Sequence, residues 1–234
     1  LSPIESFKIF FISPISNSYG VSELFVKATP LAIIALGLSY CFKNNIYNIG
    51  AEGQLTMGAI FGGGIGLLLN DPTSVFLLPT MILFGALGGA FWSTIPAILK
   101  TKFNTNEILT SLMLTYVALF ILDYFVVGPW KDPAGYGLPK SMTFPDAGRL
   151  PVLFDGLRVH IGVYFAIIIC FITYIVYNKT LFGFKLKVSG LSSKASQYAG
   201  FKYKKLIFYT FIISGACAGL AGLFEVSGPI GLLY

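Results

Sequence analysis

Charge is scarce in this chain. Only 11% of its 234 residues are Asp, Glu, Lys or Arg, while 55% are hydrophobic. Soluble domains carry about a quarter charged residues, so the balance excludes a soluble globular fold and points to an integral membrane protein. Histidine occurs once, at His160, which excludes a histidine-based metal cluster, and no metal site is expected. The three cysteines, Cys41, Cys170 and Cys217, fall in or beside apolar runs with no C-x-x-C spacing, so they read as buried free thiols. No G-x-x-x-x-G-K-[ST] occurs, so the chain has no recognisable phosphate cradle for ATP. With no serine–histidine constellation near a span centre either, a membrane-embedded enzyme is disfavoured. The first twenty residues lack the basic start, apolar core and small-residue cleavage site of a secretory signal.

What is present is long apolar sequence. Six runs stand out, at 24–42, 53–69, 74–99, 108–128, 161–177 and 206–224, each long enough to cross a bilayer as a helix. They lack the strict alternation of barrel strands. The expected fold is all-α, a polytopic membrane helical bundle with about six spans, residues 1–234 forming one transmembrane domain. Because the chain begins at Leu1 and ends just beyond an apolar run, it is expected to be part of a longer protein.

Lysines orient the spans. Lys43, then Lys100 and Lys102, then Lys179, Lys185, Lys187, Lys194, Lys202, Lys204 and Lys205 occupy alternate connections. The opposite connections hold Asp71, Lys131, Asp132, Lys140, Asp146, Arg149, Asp155 and Arg158, where the signs balance. The positive-inside rule makes the basic set cytoplasmic. The net charge of +6 is therefore a topology signal facing membrane lipid, and no nucleic-acid partner is expected. Tyr124, Trp130 and Tyr136 sit where an outer aromatic belt belongs.

The outer connection 129–159 has five prolines and four glycines. Leu138, Met142, Phe144, Leu150 and Leu153 supply apolar anchors, so it is expected to be an ordered cap or re-entrant loop. Within the spans, Gly58, Gly62 and Gly66, then Gly85 and Gly89, then Gly215 and Gly219 recur every four residues, a spacing that lets helix backbones approach closely. Pro30, Pro79 and Pro96 should bend or break their helices.

Two polar stretches remain. The longest inner connection, 179–205, contains Gly190 to Gly200, which reads as one short helix capped by Ser192 or Ser193 and ended by Gly200. It is either a protein contact or a segment lying on anionic lipid. The second stretch, Asn44 to Gln54, sets amides and a carboxylate beside hydrocarbon, where unpaired polar groups are costly.

Asn48-Ile49-Gly50-Ala51-Glu52-Gly53-Gln54 followed by Met57-Gly58 resembles the permeases of nucleoside and simple-sugar ABC importers, within the wider ribose and branched-chain amino acid permease family. Thr105 through Leu114, Gly128 through Pro133, Gly190 through Gly200 and Ser214 through Gly222 agree in the same order. Thr115 departs from the pattern, where relatives usually place an asparagine, and the inner helix lacks the leading acidic residue of the classical coupling motif. The resemblance implies a permease subunit translocating a nucleoside or related sugar-like solute across the inner membrane by alternating access. It further implies a second permease subunit, two cytoplasmic ABC ATPase domains that bind ATP and Mg, and an external substrate-binding protein or lipoprotein. No cofactor is expected in this chain. Ser192, Ser193, Lys194, Ala195, Gln197, Tyr198, Ala199 and Gly200 would couple to the ATPase.

Asn48, Glu52, Gln54, Asn106, Glu107 and Thr115 are inner-gate or pathway candidates. Asn48 and Gln54 are close enough in sequence to bond Glu52, which either caps its helix, where the dipole favours a carboxylate, or lines the gate. Asn104, Asn106 and Glu107 repeat the arrangement. Asp123 and Glu225 either reach the outer interface or serve a pathway. Two alternatives stand beside the leading reading: an ion-coupled secondary transporter using Glu52, Asp123 or Glu225, and a permease for branched-chain amino acids.

Overall fold

A computed structural model describes residues 2–69, 71–135, 137–154 and 156–234; Tyr136 and Asp155 lie outside the described residues. Among the described residues, nine α-helices run in order. α1 (Pro3–Phe11) starts on a capping box between Ser2 and Glu5. α2 (Ser18–Lys43) is capped by Asn17, whose side chain accepts from Gly20 N. α3 (Ala51–Leu69), α4 (Leu77–Phe103) and α5 (Glu107–Val127) follow. α6 (Gly162–Lys179), α7 (Leu181–Leu191), α8 (Ser193–Tyr198) and α9 (Tyr203–Glu225) complete the set. α9 ends in a π-helical turn, Val226–Ile230. Among the described residues there is no β-strand, and the architecture is an all-α polytopic bundle.

Five helices (α2, α4, α5, α6 and α9 with its π turn) are long and apolar enough to span a membrane. The remaining expected span, α3, is a helix of 19 residues but is not among them. The reason is composition: Glu52, Gln54 and a run of glycines dilute its hydropathy. α3 has little need of a lipid-facing apolar surface, because it is enclosed by α4, α5 and α9.

The enclosure depends on glycine. A Cβ on Gly219 of α9 would lie 2.9 Å from Gly89 Cα of α4 and nearer still to the Gly85 carbonyl. A Cβ on Gly58 of α3 would overlap Gly219 itself. The three backbones therefore touch, and dispersion between them holds the bundle where hydrophobic exclusion from lipid cannot. Pro30 and Pro96 do not break α2 or α4, which continue through them. Pro79 falls in the first turn of α4, where its missing N–H has no intrahelical partner to lose. Neighbouring helices supply the remaining support.

The outer connection is an ordered cap clasped to the end of α9. Phe144 N donates to Gly231 O at 2.8 Å, Ser141 N to Leu233 O at 2.8 Å and Leu150 N to Ser227 O at 2.9 Å. Phe144 and Leu150 are buried, whereas the side chains of Leu138 and Met142 are exposed. The Trp130 ring stacks on Phe125 at 4.3 Å and lies over Gly64, where a larger residue would exclude it. Ion pairs add clasps on the same side, Lys27–Glu225 at 2.8 Å and Arg158–Glu23 at 3.3 Å. Both are solvent-accessible and worth at most about 1 kcal/mol each.

His160 is buried beneath this cap, and its Nδ1 accepts from Gly162 N at 3.2 Å. Burial lowers its pKa below the ordinary 6.5, with Glu225 pulling weakly the other way. As pH falls, the unfolded chain therefore takes up the proton first, and stability declines from about pH 6.5 downward until the folded pKa is passed. Thermal unfolding in detergent should shift to lower temperature between about pH 7.5 and about pH 5. His160→Gln should flatten that slope, and an unchanged slope would remove His160 as its source.

Candidate functional site

The stretch between α2 and α3 is a buried junction of neutral amides. Asn45, in the left-handed region at φ 56°, turns the chain out of α2. Asn48 and Gln54 then pair reciprocally: Asn48 Nδ2 donates to Gln54 Oε1 at 2.9 Å, and Gln54 Nε2 donates to Asn48 Oδ1 at 3.0 Å. Asn48 Nδ2 also donates to Ser214 Oγ of α9 at 3.0 Å, and Gly50 N donates to Asn48 Oδ1 at 3.2 Å. Asn48, Gln54 and Ser214 are each 1% exposed. This geometry makes the amides a bracket between a loop, α3 and α9.

α5 is held to the same bracket. Ile49 N donates to Ser111 Oγ at 3.2 Å, and a Cβ on Gly50 would fall 2.6 Å from the Ser111 carbonyl. One turn on, a Cβ on Gly53 would lie 2.7 Å from Thr115 Cα. Thr115 is buried and turns its hydroxyl back to Ser111 O at 3.3 Å. Thr115 thus serves close packing of α5 on α3.

Glu52 stands apart. It is exposed, and neither Asn48 nor Gln54 bonds it, because those two side chains satisfy each other. The stretch Asn104 to Glu107 does not repeat the Asn48–Gln54 arrangement. Asn104, at φ 54°, ends α4, while the Asn106 side chain accepts from Ile108 N and Leu109 N as the cap of α5. Glu107 pairs with Lys100 at 2.8 Å across the α4–α5 turn. The two polar entrances are neighbours through Ser111, yet they are different devices. The junction of Asn48, Gln54, Ser111 and Ser214 contains no ionisable group and is a neutral hydrogen-bonded clasp between the loop, α3, α5 and α9.

Ser214 and Ser111 are not among the residues that sequence reasoning singles out for this junction. The signal that could find them is their polarity inside the last and fourth apolar runs. Asp123 is exposed on α5, and Glu225 is paired with Lys27.

The inner connection is two helices, where one was expected. α7 stops at Leu191 because Ser192 leaves helical geometry at φ −158°. Its side chain caps α8 by accepting from Ala195 N at 3.2 Å, so Ser193 is the first helical residue and not the cap. Gly200, at φ 75°, turns the chain toward α9. Ser193, Lys194, Ala195, Gln197 and Ala199 are exposed, and Tyr198 is 92% exposed. Ser196 faces inward and is buried. α7 in turn is seated against the end of α2, since a Cβ on Gly190 would overlap the Lys43 carbonyl.

Enclosed glycine-packed spans with a neutral polar bracket at their lysine-bearing end define a multi-pass α-helical protein of the plasma membrane. Residues 20–231 match the family described as branched-chain amino acid transport system / permease component, and the chain belongs to that family. It is 35% identical over 242 residues to the glucose ABC transporter permease protein TsgB13 of Haloferax volcanii, covering 99% of this chain and 63% of the relative. It is 32% identical over 211 residues to the guanosine ABC transporter permease protein NupP of Bacillus subtilis, covering 90% and 60%. Identity to the nucleoside ABC transporter permease protein NupB of Lactococcus lactis is 29% over 229 residues, covering 95% and 63%. The chain thus spans between 60% and 63% of the length of these relatives. No solved structure gives a significant match.

Proposed function

We infer that the chain is the transmembrane permease subunit of an ABC importer, translocating a nucleoside or related sugar-like solute by alternating access. The observation that carries this reading is the family match across residues 20–231, together with relatives named for guanosine, nucleosides and glucose. Separate ATPase subunits bind ATP and Mg, since the chain carries no phosphate-binding loop of its own. A second permease subunit and an external substrate-binding protein complete the assembly. α8 is the contact with the ATPase: a short capped helix whose exposed Lys194, Gln197 and Tyr198 have no role in holding the bundle. Motion of α8 passes through α7 and Gly190 to the end of α2 and the amide bracket. Asn48, Gln54 and Thr115 then form the inner gate, with Asn106 and Glu107 bracing its α5 side.

Reconstitution of the full-length protein with its ATPase and binding protein tests this. Uptake of guanosine into proteoliposomes should require ATP, and gradient-driven uptake by the permease alone would overturn the reading in favour of an ion-coupled carrier. Lys194→Glu combined with Tyr198→Ala removes two exposed side chains without touching a buried contact. Loss of an interface anchor of about 2 kcal/mol weakens docking roughly thirtyfold, so solute-stimulated ATP hydrolysis should fall by a similar factor. Unchanged stimulation would sink the docking assignment.

A further inference from the structure

Lysines and apolar surface meet along the outside of the bundle where α4 and α9 lie side by side. At the lysine-bearing ends of the two helices, a cavity of about 610 Å³ is lined by Thr101, Lys102, Lys204, Lys205, Phe208 and Tyr209. Among the described residues, none of these three lysines pairs with a carboxylate; Lys100 nearby is already held by Glu107. The first turn of α9 has no side-chain cap, so its N–H groups add positive potential at the same place.

A second, separate cavity of about 400 Å³ lies further along the same seam, lined by Phe61, Phe84, Leu87, Phe91 and Ile212 among others, almost wholly apolar. The two are in line. On α4, Leu87, Phe91, Thr94, Ile98 and Thr101 follow at the three- and four-residue spacing of one helix face, and on α9 so do Lys205, Tyr209 and Ile212. Ile98 and Tyr209 bridge the gap and are exposed.

The lengths also agree. Fifteen residues of helix separate Leu87 from Lys102, about 22 Å. Half a bilayer from headgroup to midplane measures about 21 Å. We propose that this seam is a binding site for one anionic phospholipid of the inner leaflet, its phosphate held by Lys102, Lys204 and Lys205 and an acyl chain laid along Leu87, Phe91 and Ile212. The basic cavity supplies charge complementarity to a headgroup, which basic pockets between spans are suited to hold. The apolar groove supplies the complement to a chain. A soluble anion would use only the first of these, and an acidic protein segment would leave the groove uncovered.

Native mass spectrometry of the full-length protein, extracted in mild detergent with its bound subunits, tests the site with phosphatidylglycerol and phosphatidylcholine as probes. One phosphatidylglycerol per chain should be retained in preference to phosphatidylcholine. Each lysine near a lipid surface contributes about a fivefold factor, so Lys102→Ala, Lys204→Ala and Lys205→Ala together should lower retention on the order of a hundredfold at low salt. Lys179→Ala with Lys187→Ala, on the same side of the membrane but outside the cavity, should leave it unchanged. Leu87→Trp with Ile212→Trp fills the groove and should lower retention with all three lysines intact.

Four results would overturn the proposal. The first is equal retention of phosphatidylcholine. The second is equal loss with the Lys179 and Lys187 pair. Displacement of the lipid by millimolar inorganic phosphate alone would mark a free-anion site. Retention seen only after the partner subunits are stripped away would assign the seam to a protein interface.

Discussion

Gly219→Val should severely destabilise the folded bundle. The added carbons would enter the Gly85 carbonyl and the Gly89 Cα and N of α4, all of it backbone. Overpacking costs about 1–3 kcal/mol where side chains can yield, and here only whole helices can. A domain has about 5–15 kcal/mol of stability to lose. The thermal midpoint in detergent should therefore drop on the order of 10 °C or more, with little folded protein recovered. Gly219→Ala should fall between, since one methyl already meets the same atoms. Gly89→Val should reproduce the loss from the α4 side, since a Cβ there would enter the Gly215 carbonyl and lie 2.7 Å from Gly219 Cα. Phe120→Ala, on an exposed position of α5, should stay within about 0.5 kcal/mol of the parent. Parent-like melting of Gly219→Val would mean that α4 and α9 do not touch here.

That contact is legible in the amino-acid sequence, because four-residue glycine spacing has one physical use in a span. Hydrophobic length likewise marks the positions of α2, α4, α5, α6 and α9, whose ends shift by a few residues at most except at the start of α2. There, the helix capped by Asn17 starts at Ser18, six residues before the apolar run begins. α1 is invisible, since a helix of nine residues has too few turns to show a period. The split between α7 and α8 is hidden for a related reason. Ser192 and Ser193 are equally good caps in sequence, and only packing of Gly190 against Lys43 selects Ser192.

The polar junction is legible in place but not in wiring. A buried amide must be paired, so Asn48 and Gln54 are certain to find partners, yet sequence proximity suggests Glu52. The carboxylate stays in water because two amides satisfy each other at no desolvation cost for a charge. Ser214, distant in the chain by 166 residues, lies beyond the reach of local reasoning. The same is true of Lys27 and Glu225, remote in sequence and joined only by the fold.

The wiring of that junction sets the order of a second series. Asn48→Leu removes four hydrogen bonds, to Gln54 twice, to Ser214 and from Gly50 N. It leaves the Gln54 amide unpaired inside the bundle, so it should be the most damaging single change. Gln54→Leu removes two of the four and leaves Asn48 its bonds with Ser214 and Gly50, so it should cost less. Each stranded buried group costs about 1–3 kcal/mol, and bonds of this kind within spans measure about 0.6–2 kcal/mol. Asn48→Leu with Gln54→Leu strands neither partner of the pair. The double variant should therefore be less destabilised than the two singles added, by about 1–2 kcal/mol, read as thermal or denaturant unfolding in detergent. Strict additivity would mean that the amides act independently. A coupled pair instead makes one unit of the loop, α3 and α9, so that these three elements part together or not at all at this junction.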